Sequence, residues 1–182
     1  MDEPLDETLT RASHAEARTR RHFPVISLSA EHLVMGHLLR RNILTYKAPP
    51  MNEGYDLICM HPDPRQSSRS LRVQVKSRMA TDCDRGFPVK ERSIDAFDFL
   101  VVAFLNVGYY LAKGKKRQAI EGAADPEFYV LTPEFIRTHH RKSGGWEKVM
   151  LRSVDIEAYK NAKGFDLIAS TLNIPYPSKG IL

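Results

Sequence analysis

What the chain lacks narrows it before any motif is read. Of its 182 residues only two are cysteines, Cys59 and Cys83, and neither stands in a pair with metal-like or redox-like spacing. A disulfide framework is set aside, and the expected compartment is a reducing cytoplasm. No run of about eighteen apolar residues occurs, so no membrane-spanning helix is expected. The start carries Asp2, Glu3, Asp6 and Glu7 with no apolar stretch behind them, the wrong charge for a secretory signal. No glycine-rich loop follows a strand-like run, which sets aside dinucleotide and P-loop phosphate binding. No nucleophile elbow is visible. The histidines lack zinc-ligand partners: His32 and His37 are five apart, and His139 and His140 are adjacent and so point apart on a helix. Internal repeats and long low-complexity segments are absent as well.

What is present is an ordinary globular composition in a chain long enough to build a hydrophobic core. The reading is one domain over 1–182, with 1–22 as an N-terminal helix or arm and 171–182 as an extended tail. The formal net charge is +5. The cations cluster at Arg18, Arg20 and Arg21, at Lys113, Lys115, Lys116 and Arg117, and at Arg137, Arg141 and Lys142. Such clusters suit a polyanion, and they suit a solvated surface equally well.

Periodicity and breakers give the order of elements. A helix is expected over 10–21, ended by Pro24, and a second, capped by Ser29, to about 42 with Leu33, Val34, Leu38 and Leu39 as its apolar face. Strands are expected over 43–46, 55–60 and 71–77, the last two joined by a loop rich in Pro, Ser and Arg. The run 97–104 is continuously apolar and has the length of a strand buried on both faces. After a basic loop over 114–125, a strand over 127–131 leads to a helix opened by Thr132, Pro133 and Glu134. A turn at 143–145 and a last helix over 153–170 follow. Strands and helices in this order predict an α/β sandwich with a central mixed sheet, not a strict βαβ repeat. Trp146, after two glycines, is expected in the core or a lid, with stacking on a base as the alternative. Tyr109 and Tyr110 beside the 113–117 cations suit either sheet packing or a nucleic-acid surface.

One constellation carries chemistry. Alternate residues of a strand share a face, so Val73 and Val75 point one way and Gln74 and Lys76 the other, with Arg72 and Arg78. The hairpin brings Asp56 beside Gln74 and Lys76, and an acid in an apolar strand needs a partner if it is buried. A salt bridge to Lys76 is the plain explanation. Glu31 falls in the first turn of the second helix, on the side of Val34, Met35 and Leu38. Two carboxylates, an amide oxygen and a lysine can together form a hard-metal site of the kind that hydrolyses phosphodiesters.

Glu31 on its helix, Gly54-Tyr55-Asp56-Leu57 and Gln74-Val75-Lys76-Ser77 resemble, in order and spacing, the motifs of the PD-(D/E)XK nuclease superfamily, nearest its Holliday-junction-resolvase-like and homing-endonuclease-like branches. The resemblance covers about 30–135. It implies a restriction-endonuclease-like three-layer sandwich, with a central mixed sheet flanked by helices. It implies Asp56 as the central metal-binding acid, Lys76 as the catalytic lysine, and Glu31 as a helix-borne acid for metal or water. Gln74 stands where the family usually has Glu or Asp and would lend a metal its carbonyl oxygen without charge. The implied cofactor is Mg²⁺ or Mn²⁺ and the implied partner is nucleic acid, DNA foremost, with a homodimer suited to cutting both strands. Lys113, Lys115, Lys116, Arg117, Arg141 and Lys142 are the expected phosphate contacts. The alternative is a nuclease-like domain that binds nucleic acid or a protein without cutting, or an α/β domain whose Asp56 and Lys76 are only structural.

Overall fold

The structure is a computed structural model that describes residues 24–49, 52–66, 69–110, 119–151 and 155–175. In chain order the elements are α1 (Pro24–Leu39), β1 (Leu44–Lys47), β2 (Leu57–Met60), β3 (Ser70–Arg78), β4 (Gly86–Pro88), β5 (Phe99–Phe104), β6 (Glu127–Leu131), α2 (Pro133–His139), β7 (His140–Ser143), β8 (Trp146–Met150) and α3 (Asn161–Thr171). A five-stranded sheet runs in the order β1-β2-β3-β5-β6. Its neighbours are antiparallel except β3 and β5, which are parallel, so the sheet is mixed.

β5 sits inside this sheet, and its six residues are all buried. Phe99, Val101 and Ala103 enter one core, and Leu100, Val102 and Phe104 enter another on the opposite face. The first core is closed by α1 through Val34 and Leu38 and by α3 through Phe165 and Ile168. The second is closed by α2 through Phe135 and Ile136, by a 3₁₀ turn over Glu91–Ala96 through Ile94, and by Val149 of β8. Each such side chain contributes about 1.5–3 kcal/mol when fully buried, so a strand apolar on both faces is the natural centre of two cores. β8 belongs to a second sheet of three strands, ordered β4-β8-β7. That sheet is absent from the sequence reading. β4 has three residues and β7 reads His-Arg-Lys-Ser, too short and too polar to show a strand period.

Several expectations are corrected. α1 begins at Pro24, not after Ser29, because proline at a first helical position starts a helix as readily as it ends one. Ser29 is therefore internal, its hydroxyl donating to the Ile26 carbonyl at 2.8 Å, and Glu31 lies in the second turn. Strand ends shift by one or two residues, and Asp56 stands just before β2. Thr132 caps α2 as expected, accepting from Phe135 N at 3.2 Å, but the helix stops at His139 and His140 heads β7. The last helix is shorter than 153–170 on its N-terminal side. Asn161 opens it at φ 48°, accepting from Phe128 N at 2.8 Å. Gly164 lies within α3 because a Cβ there would stand 2.2 Å from the Tyr159 carbonyl oxygen. Thr171 ends α3, and Leu172 and Ile174 return into the first core, so no extended tail starts at 171. The helix or arm over 1–22, with Arg18, Arg20 and Arg21, lies outside the described residues, as do Lys113, Lys115, Lys116, Arg117 and 176–182. Among the described residues no helix is long and apolar enough to cross a membrane.

Candidate active site

Asp56 is fixed from three directions. The register of β2 on β3 sets Leu57 against Val73, which carries Asp56 to the level of Gln74. The Asp56 N–H donates to the Val73 carbonyl at 2.9 Å, and its Oδ2 accepts from Val75 N at 2.7 Å. The turn ahead of it is held by Gly54, whose φ of 101° and position against Ala96 leave no room for a side chain. Oδ1 accepts no hydrogen bond among the described residues. One carboxylate oxygen is thus spent on orientation and the other is presented.

Gln74 and Lys76 share the face opposite Val73 and Val75, as strand alternation requires. Burial pulls the Lys76 ammonium below the ordinary lysine range, Asp56 acts in the opposite sense, and Arg78 adds to the lowering. Lys76 makes no direct ion pair among the described residues, so the plain Asp56–Lys76 salt bridge is not what the structure shows. Gln74 and Lys76 line a cleft of about 850 Å³ with Gly54, Pro88, Lys90 and Arg92. Lys76 also borders a depression of about 250 Å³ with Glu31, Ser77 and Arg78, and Glu31 borders another of about 300 Å³ with Lys47 and Asp56. Glu31 thus shares one depression with Lys76 and another with Asp56, while Gln74 and Lys76 share the cleft, which Glu53 also lines. Glu31 is ion-paired to Lys47, a partner that sequence spacing does not reveal. Arg78 donates to the Gly86 carbonyl at 2.5 Å and lies over the Phe87 ring at 5.0 Å, while its buried Nε has no hydrogen-bond partner among the described residues.

No family model matches the chain, and no curated protein does. Among solved structures the chain is similar to a bacterial homing endonuclease, I-Ssp6803I. The identity is 18%, the TM-score 0.48, and the match covers 81% of this chain and 91% of that one.

The oxygen donors, Asp56 Oδ1, the Gln74 amide oxygen and Glu31, are of the hard kind that Mg²⁺ and Mn²⁺ accept alongside water. Charge is sparse, because Gln74 is neutral and Lys47 already holds Glu31. Among the described residues no three His, Cys, Asp or Glu side chains gather into a metal-binding group. The donor set fits a hydrated hard cation held mainly by Asp56, with Gln74 and water completing it.

The cations are arranged differently from the sequence expectation. Lys142 is ion-paired to Glu91 and Arg137 to Asp95, which leaves Arg141 as the exposed, unpaired member of that cluster among the described residues. Two cations that sequence reasoning missed, Lys90 and Arg92, border the cleft itself. They lie two residues apart at and within the 3₁₀ turn that leads into β5, and the pairing of β5 with β3, with Ala96 against Gly54, brings that turn to the cleft. Trp146 is 72% exposed at the tip of the β7–β8 hairpin, which overturns its placement in the core. Tyr110 is also exposed.

Proposed function

We propose that the chain is a metal-dependent nuclease of the PD-(D/E)XK kind that hydrolyses DNA phosphodiester bonds. The observation that carries the proposal is the anchored Asp56 carboxylate beside a partly desolvated, ion-pair-free Lys76 on the wall of a cation-bordered cleft. A bound Mg²⁺ or Mn²⁺, held by Asp56 and Gln74, would neutralise phosphate charge and acidify a water. Asp56 presents one oxygen because Val75 N–H fixes the other. Lys76, whose burial favours its neutral form, holds or accepts a proton at Nζ beside the attacking water and stabilises charge when protonated. Lys90 and Arg92 hold the flanking phosphates, giving salt-dependent affinity.

A second reading, a nuclease-like domain that binds nucleic acid without cutting, is favoured by the neutral Gln74 and by the Glu31–Lys47 pair, which together leave Asp56 the one uncommitted acid of the proposed set. Labelled DNA incubated in EDTA, Mg²⁺ or Mn²⁺ separates the two. Strand scission that requires the metal supports the nuclease. Binding without scission, and no metal-linked rise in melting temperature, supports the binding module.

A further inference from the structure

The β7–β8 hairpin has a built tip. Ser143 pairs with Trp146 across Gly144 and Gly145, whose φ values of 56° and 80° are those of a tight two-residue turn. Such a turn fixes the register, so the indole stands on a rigid base and not on a long loop. It is 72% exposed, the most exposed large hydrophobic side chain among the described residues. An aromatic of that size in water wastes the burial free energy it would gain inside.

The hairpin reaches the cleft through β4. Pro88 pairs with Lys148, and Val89 N donates to the Glu147 carbonyl at 3.1 Å. Lys90 follows Val89 directly, beyond this last contact with the residue after Trp146. Lys90 and Arg92 border the cleft that holds Gln74 and Lys76. Arg141 lies exposed on β7, three residues before the turn. The cations on this side, Lys90, Arg92 and Arg141, make no ion pair among the described residues, while the nearby acids are engaged, Glu91 with Lys142 and Glu147 with the Glu91 N–H.

We infer that Trp146 is a stacking platform for an unpaired base of DNA whose backbone runs over Lys90, Arg92 and Arg141 towards the cleft. The inference rests on the nuclease reading and deepens it by naming the substrate class. A base can cover the indole only where its own face is free, which intact duplex denies except at its ends. The surrounding positive charge matches the phosphates on either side of such a base.

Trp146 is the sole tryptophan, so its emission reports on this tip alone. The full chain in EDTA is titrated with a labelled single-stranded oligonucleotide and, separately, with a relaxed, covalently closed circular duplex, which has neither ends nor loops and so keeps its base faces covered. Anisotropy reads binding and tryptophan emission reads stacking. The expected result is quenching by the single strand and none by the closed duplex. Trp146→Ala weakens single-strand binding about tenfold, the scale of one base stacked on an aromatic ring, while Trp146→Phe keeps most of it. Single-strand binding with unchanged emission, or with unchanged affinity in Trp146→Ala, overturns the inference and leaves the nuclease reading standing. Quenching that follows protein concentration without DNA assigns the indole to a contact between copies and also overturns it. Failure to bind either DNA removes the nuclease reading and this inference together.

Discussion

Replacing Lys76 by Met separates a lysine kept for chemistry from one kept for structure. Lys76 is half-buried, its ammonium is disfavoured by burial and by Arg78, and no carboxylate pairs with it directly among the described residues. Methionine preserves most of the apolar stem and removes the partly desolvated charge. Such a removal at a functional site stabilises by about 0.5–2 kcal/mol. In a chain of this length that raises Tm by about 2–4 °C for each kcal/mol. A structural Asp56–Lys76 pair predicts the opposite, a loss of about 3–5 kcal/mol from stranding the acid. The pH dependence has a definite sign. The folded-state pKa of Lys76 lies below its unfolded value, so the cost of holding it charged is present in full below the folded pKa. The cost disappears as pH rises through that value towards the ordinary lysine range. The stability advantage of Lys76→Met is therefore largest near neutrality and fades in the alkaline range. Urea titrations of both proteins at several pH values read this directly, with circular dichroism to confirm folding. A destabilised Lys76→Met protein would refute the reasoning.

Other perturbations test neighbouring parts. Gly54→Ala puts a Cβ 2.4 Å from that of Ala96 at a φ of 101°, and chemical denaturation should show a loss of about 2–4 kcal/mol from overpacking and backbone strain together. Gln74→Glu adds a charged oxygen donor to the proposed site and should lower the metal concentration for half-maximal cleavage by about tenfold, since ligand charge tunes metal affinity; an unchanged metal requirement would exclude Gln74 as a ligand. Burial pushes the Cys59 thiol up to about 12, so a thiol reagent at neutral pH should label Cys83 in the native protein and reach Cys59 only after denaturation.

The parts of this molecule legible in its sequence are those set by local rules. The run that became β5 announced a doubly buried strand by composition, and Thr132-Pro133-Glu134 announced α2 by its capping chemistry. Asp56, Gln74 and Lys76 could be placed together because strand alternation and one hairpin suffice to do so. What escaped depends on distant contacts. Pro24 carries the same local signal whether it ends one helix or begins the next, and that ambiguity moved Glu31 by a turn. The pairing of Glu31 with Lys47 joins a helix to a strand edge, and Lys90 and Arg92 reach the cleft because the turn that carries them leads into β5, which pairs with β3. Trp146 could not be assigned from composition, since a tryptophan after two glycines serves equally in a core or at a hairpin tip.

The most direct test of the proposed hydrolytic site is cleavage of labelled DNA by wild type and Asp56→Ala, prepared in parallel and matched for folding by circular dichroism, in Mg²⁺ and in EDTA. The account predicts scission by wild type in Mg²⁺, none in EDTA, and none by Asp56→Ala under either condition. Scission retained by a folded, pure Asp56→Ala protein would contradict it.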